Sequence, residues 1–133
     1  MHVRFRGFAH GNYPPNEARY ISPDQTFLST AKEYEVHAVS VYDGVTFLQI
    51  VDDANTPTFH PRAIFEVVDS TIAEDWICSA FPEGPVQLVI GPSFVAKDLG
   101  CYDSMVDQDR SAVDAFWQRV NARQRHGAEF DDD

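Results

Sequence analysis

Tyr34-Glu35-Val36-His37-Ala38-Val39-Ser40-Val41-Tyr42-Asp43-Gly44-Val45-Thr46-Phe47-Leu48-Gln49-Ile50-Val51 decides the fold class. Two runs rich in β-branched and aromatic residues meet at Asp43-Gly44. Both central residues of a type I′ turn need φ > 0, so this junction predicts a β-hairpin. The second strand is apolar on both faces, with Phe47 and Val51 on one and Leu48 and Ile50 on the other, which predicts cover on both sides. Asp52-Asp53-Ala54-Asn55-Thr56-Pro57 closes it with turn formers.

Outward from the hairpin, Phe59-His60-Pro61-Arg62 leads into a third strand, Ala63 to Val68. Thr71-Ile72-Ala73-Glu74 has capping-box spacing and predicts one helical turn that carries Trp76 and Ile77 inward. Pro82-Glu83-Gly84-Pro85 reads as a turn. Val86 to Ile90 reads as a fourth strand, closed by the turn residues Gly91-Pro92. Val3-Arg4-Phe5-Arg6-Gly7-Phe8 alternates apolar and basic and reads as a half-exposed strand. Its arginines either contact a partner or pair across strands with an acid, and surface pairing is the commoner arrangement. Gly11 to Asn16 reads as a loop, residues 17–24 are open between loop and short extended piece, and residues 93–108 read as an irregular return. The N-terminal loop is a candidate mobile binding element.

The clearest helix lies near the C-terminus. Asp109 or Ser111 caps it, Val113, Phe116, Trp117 and Val120 form one apolar stripe, and Arg119, Arg123 and Arg125 suit its negative end. Gly127 fits the stop. The reading is one globular domain over residues 1–127 and a flexible acidic tail over 128–133. The fold class is α+β and mainly β: a curled antiparallel sheet or SH3-like barrel with one C-terminal helix packed on it.

Phe27-Leu28-Ser29-Thr30-Ala31-Lys32-Glu33-Tyr34-Glu35-Val36 carries a resemblance. Together with Ile50-Val51-Asp52-Asp53 and Pro61-Arg62-Ala63-Ile64-Phe65-Glu66, it is similar to the opening, strand end and following strand of small SH3-like β-barrels, with Ala31 where that pattern has glycine. The resemblance covers about half the chain. It implies a small curled antiparallel sheet and no particular chemistry.

Charge is the stronger functional clue. The net charge is -11 over 133 residues. Residues 34–109 hold thirteen acids against Arg62 and Lys97 alone, while residues 110–127 are basic. Such a field repels nucleic acid and attracts cationic partners. No apolar run has the length of a membrane span, and the N-terminus lacks the apolar region of a signal peptide. Cys78 and Cys101 form neither a disulfide framework nor a zinc site, so two reduced thiols in the cytoplasm are the simplest reading.

His37, His60, Asp52 and Asp53 form the most suggestive enzymatic set, because a histidine beside a carboxylate can move protons near neutral pH. No nucleophile, oxyanion donor or phosphate loop accompanies them, and strand-end and turn roles account for the same residues. Asp52, Asp53 and Asn55 lack the glycine and closing glutamate of a calcium loop. The expectation is therefore no catalytic residue, no metal and no cofactor.

That leaves the acids as a binding surface, with Asp52, Asp53, Glu66, Asp69, Glu74 and Asp75 as partner-binding residues at strand ends and loops. A merely solubilising surface is the competing reading. In size, acidity and lack of a catalytic motif the chain resembles the small bacterial immunity proteins of toxin–immunity pairs. That resemblance implies a non-enzymatic protein that neutralises a basic, nuclease-type toxin by covering its active site. Two alternatives stay open. One is a peptide- or protein-binding adaptor using Tyr13, Tyr42 and Phe59 as exposed aromatics. The other is a small enzyme using His60 with Asp52 or Asp53.

Overall fold

The structure, a computed structural model, describes residues 1–8 and 13–131, and side chains as far as Gln124. Of the expected segments, Gly11 and Asn12 of the N-terminal loop and Asp132 and Asp133 of the tail lie outside the described residues.

Asp43 and Gly44 have φ of 50° and 77°, as a type I′ turn requires. They join β3 (Ala38–Tyr42) to β4 (Val45–Val51), paired with Val41 opposite Thr46 and Ala38 opposite Gln49. The first run of the hairpin is not one strand. It breaks at Val36–His37 into β2 (Glu33–Glu35) and β3. At the break the Val36 amide donates to the Met1 carbonyl and the His37 amide to the Gln49 carbonyl, both at 2.8 Å. The chain thus passes from one sheet to another in two residues.

The smaller sheet has the order β2-β1-β6, with β1 at His2–Phe5 and β6 at Phe65–Asp69. The larger has the order β5-β4-β3-β8-β7, with β5 at Pro57–Pro61, β7 at Ile77–Ala80 and β8 at Val86–Gly91. All pairings are antiparallel. The fold is α+β, as the sequence predicts, but neither sheet closes on itself, so the barrel form of that expectation is corrected to two open sheets.

Two apolar clusters set the layers. Val3, Phe5, Tyr34, Val36, Leu48, Ile50, Ile64 and Phe65 fill the space between the sheets. Ala38, Val86, Val89, Val95, Tyr102, Met105 and Phe116 lie between the larger sheet and the helices. β4 feeds both clusters, which explains its apolar character on each face. Gly91 ends β8 rather than forming a turn. A Cβ there would meet the Ala38 Cβ at 2.9 Å and the Val95 Cγ1 at 3.0 Å, so close strand–helix packing requires glycine.

The helical layer is larger than one helix. Residues 93–108 form α2 (Ser93–Ala96) and α3 (Leu99–Val106), after the short α1 (Pro15–Ala18). The Asp98 carboxylate caps α3 by accepting the Cys101 amide at 2.8 Å. The last helix, α4, spans Arg110–Asp131, directly after Asp109. It runs through Gly127, which therefore does not stop it. Arg119 and Arg123 sit well inside α4 and bind acids of the sheet side instead of its negative end. The segment after β6 is also corrected. The Asp69 carboxylate accepts from the Thr71 amide at 2.9 Å, and the Met1 ammonium donates to the Thr71 carbonyl at 2.5 Å. With those groups engaged, the expected turn does not start at Thr71; one closes later, from Ala73 to Trp76, and Trp76 packs on the inter-sheet cluster as expected while Ile77 is exposed.

Candidate functional site

β6 leaves the core after its first residue. Phe65 is buried in the inter-sheet cluster, while Glu66, Val67, Val68 and Asp69 are all exposed. The bulge at Val68 interrupts the alternation of side chains, and both valines stay exposed. No strand among the described residues pairs with its outer side. The chain then crosses through Ile72 and Glu74 to β7, the outer strand of the other sheet. Val67, Val68, Ile72 and Ile77 are 54%, 43%, 53% and 42% exposed. Contiguous exposed apolar groups rimmed by polar ones mark interaction surfaces.

Four of the six sequence-expected acids fall within this segment. Glu66 and Asp69 flank the two valines, and Glu74 follows Ile72. Their cationic neighbours are loosely held, with Arg4 at 3.9 Å from Glu66 and the His2 ring at 3.8 Å from Asp69. Arg4 is closer to Glu33, at 3.2 Å, which is cross-strand pairing of the expected kind. Asp75 has a different role. It accepts two hydrogen bonds from the Arg119 guanidinium, at 2.8 and 2.7 Å, and so ties the segment to α4. That guanidinium holds the Asp75 carboxyl below its usual range. Beside the segment, Ile72 and Trp76 line a cleft of about 200 Å³ with Asp69 and Arg123. The indole N–H of Trp76 is buried there with no acceptor among the described residues.

The remaining two acids bind donors of the chain: the expected exposed place is corrected for Asp52, while Asp53 stays exposed with its carboxylate engaged. Asp52 is only 6% exposed, and its Oδ1 accepts the amides of Ala54 and Thr56, each at 3.0 Å. Asp53 accepts from the Ser29 hydroxyl at 2.5 Å, the Tyr34 hydroxyl at 2.8 Å and Lys32 Nζ at 3.1 Å. These donors, Ser29 foremost, hold its carboxyl below the usual value. Replacing Asp52 with alanine strands two backbone donors in the β4–β5 turn. We expect Asp52→Ala to lower unfolding free energy by about 2 kcal/mol, read by urea denaturation, with Asp52→Asn retaining most of it. Wild-type stability in the alanine variant would show that water replaces the carboxylate.

The histidines are separated. His37 lines a cleft of about 370 Å³ with Glu35, Asp52, Asp53, Trp117 and Gln124. His60 lines another, of about 300 Å³, with Tyr20, Thr58 and Gln108. The His60 Nε2 lies 3.0 Å from the Thr58 hydroxyl, and burial lowers the pKa of His60 against the pull of Asp52. His37 and the two aspartates share a cleft, yet among the described residues no hydrogen bond joins the imidazole to either carboxylate. Its Nδ1 is buried without a partner among the described residues.

Tyr13, Tyr42 and Phe59, expected as exposed aromatics, are half-buried and packed on the two clusters. The N-terminal segment after residue 12 is also anchored. Tyr20 packs edge-on to Phe47 with ring centroids 5.1 Å apart, and Arg19 pairs with Asp43. Cys78 is an exposed free thiol and Cys101 a half-buried one. Among the described residues no helix is long and apolar enough to cross a membrane, and no group of three or more His, Cys, Asp or Glu is placed to hold a metal ion.

Sequence alone misses the exposed strand, because Val67 and Val68 look like ordinary core residues. The one available signal is Glu66 and Asp69 on either side of the pair, since charge at both ends of a short strand is typical of an unpaired edge. Comparison of the chain with family models, with curated proteins and with solved structures gives no match.

Proposed function

We propose that this chain is a non-enzymatic inhibitor of the immunity-protein kind, which binds and neutralises a basic, nuclease-type toxin protein in the cytoplasm. The observation that carries this reading is the exposed pair Val67 and Val68 on the open edge of β6, flanked by Glu66 and Asp69, with Ile72 and Glu74 exposed in the connection that follows. Apolar area supplies affinity when water is removed, and the acids steer a cationic partner and occupy the place of its phosphate substrate. The net charge of -11 extends the same field over the rest of the molecule. Against an enzymatic role, Asp52 Oδ1 and both carboxylate oxygens of Asp53 in the His37 cleft already accept from donors of the chain.

The test starts from the basic protein captured from native host lysate and then purified. Glu66→Lys, Asp69→Lys and Glu74→Lys together leave the Asp75–Arg119 tie in place. The triple variant is expected to associate at least about tenfold more slowly at low salt, with the difference shrinking as salt rises. Inhibition of the partner's activity should saturate at a fixed stoichiometry. An unchanged association rate in the variant, or inhibition by catalytic amounts of the chain, would overturn the reading.

A further inference from the structure

We infer that the partner docks by strand addition: an extended segment with a basic–apolar–apolar–basic pattern pairs its backbone with the open edge of β6. This rests on the reading above and specifies how the same surface binds. The backbone register supplies the argument. The Arg6 amide donates to the Ile64 carbonyl at 2.8 Å, and Phe5 lies opposite Phe65. In an antiparallel ladder, bonded and non-bonded pairs alternate, so Phe5 with Phe65 is a non-bonded pair and Arg4 with Glu66 a bonded one. Glu66 therefore directs its N–H and C=O to β1. Val67, opposite Val3, directs its own to the open side. The register then shifts between His2 and Val3, leaving Val68 as the extra residue before Asp69.

The side chains define the occupant. Along β6 the exposed order is acid, valine, valine, acid, and the bulge at Val68 brings both acids to the face of their β1 partners Arg4 and His2. A strand laid beside it gains most when lysine or arginine stands near Glu66 and Asp69 and apolar residues near the valines. A second copy of this chain fits worse, because it would bring Glu66 and Asp69 against their own counterparts. The other outer strands are less suited. β2 is three residues long with Glu33 and Glu35 paired to Arg4 and Arg123, β5 begins and ends with Pro57 and Pro61, which have no N–H to donate, and β7 carries no acid.

The probe is an end-blocked hexapeptide, Thr-Lys-Val-Val-Lys-Thr, titrated into the full chain by isothermal calorimetry and by amide hydrogen exchange. Binding should slow exchange at the Val67 amide while leaving Glu66, already in the internal ladder, unchanged. Val67→Pro removes the outward donor without removing an internal bond. It should weaken the peptide at least about tenfold, whereas Val67→Thr, which keeps the N–H, should stay within about threefold. If the proline variant fails to fold, exchange at Val67 in the wild-type protein decides the matter. Peptide binding that Glu66→Lys, Asp69→Lys and Glu74→Lys abolish but Val67→Pro does not would overturn strand addition and leave the acidic-surface reading standing. Binding insensitive to both changes would overturn both. No binding, protection confined to β7, or peptide-independent dimerisation through β6 would also overturn this inference.

Discussion

Phe116→Ala is expected to remove about 3–5 kcal/mol of unfolding free energy. The ring is 1% exposed and centres the helix-side cluster. It meets His37 at 4.9 Å, Trp117 at 5.3 Å and Phe94 at 6.4 Å between centroids, edge-on in each case. Alanine leaves a cavity bounded by β3, α2 and α4, and three elements already fixed by their other contacts cannot all collapse into it. Urea denaturation should show a lower midpoint with an unchanged slope. Val106→Ala in α3, at a position 46% exposed, is the control and should change stability by no more than about 0.5 kcal/mol. The effect should reach the binding edge. α4 carries Arg119, which holds Asp75, so amide exchange in residues 70–76 should quicken in Phe116→Ala. A loss under about 1 kcal/mol would mean that α4 is not packed as described.

The second large effect is acid sensitivity set by His37. The imidazole is 6% exposed, and burial pushes its pKa from 6.5 down to about 4. Glu35 pulls the value up, while Arg119, Arg123 and the N-terminal ammonium add to the depression. The unfolded chain takes up this proton near pH 6.5 and the folded chain only near pH 4. Between those values the unfolded state holds more protons, so acid favours unfolding. Stability from this source is complete above pH 6.5, declines as pH falls, and levels off near pH 4. The total is about 3 kcal/mol. His37→Leu should flatten the stability profile across that window by this amount. A residual slope of the same sign should remain, because His60 is also depressed by burial. Below pH 4 both proteins should lose stability together, as Asp53, Asp69, Asp75 and Asp98 are held in the ionised form in the fold. Equal slopes for wild type and His37→Leu between pH 6.5 and 4 would refute the assignment.

Fold class was legible where the signal is local. Asp43-Gly44 names its own turn type, and Val113, Phe116, Trp117 and Val120 name the buried face of α4. The two-sided burial of β4 followed from its composition, and Arg4 paired with an acid across the strands as alternation suggested. Other elements left weaker traces. α3 was hidden by Gly100, although Asp98 as a cap with Leu99, Tyr102, Met105 and Val106 in helical spacing was there to be read. β5 was hidden by prolines at both ends, which an outer strand tolerates. The break at Val36–His37 left no trace, because β-branched and aromatic residues suit either sheet.

The candidate site divides along the same line. Composition alone locates the acid in the middle of the chain, and Glu66, Asp69 and Glu74 are exposed at the edge where a partner would meet them. Which of the other acids are engaged by donors of the chain was decided by contacts made in the fold. Asp53 binds Ser29 from 24 residues away, and Asp75 binds Arg119 from 44. Asp52 folds back on its own turn. Turn type and helix face depend on neighbours within four or five positions, so the order of residues determines them directly. Whether a carboxylate faces water or an internal donor, and whether a pair of valines lies in a core or on an open edge, depends on segments that meet only when the two sheets and the helical layer close over one another.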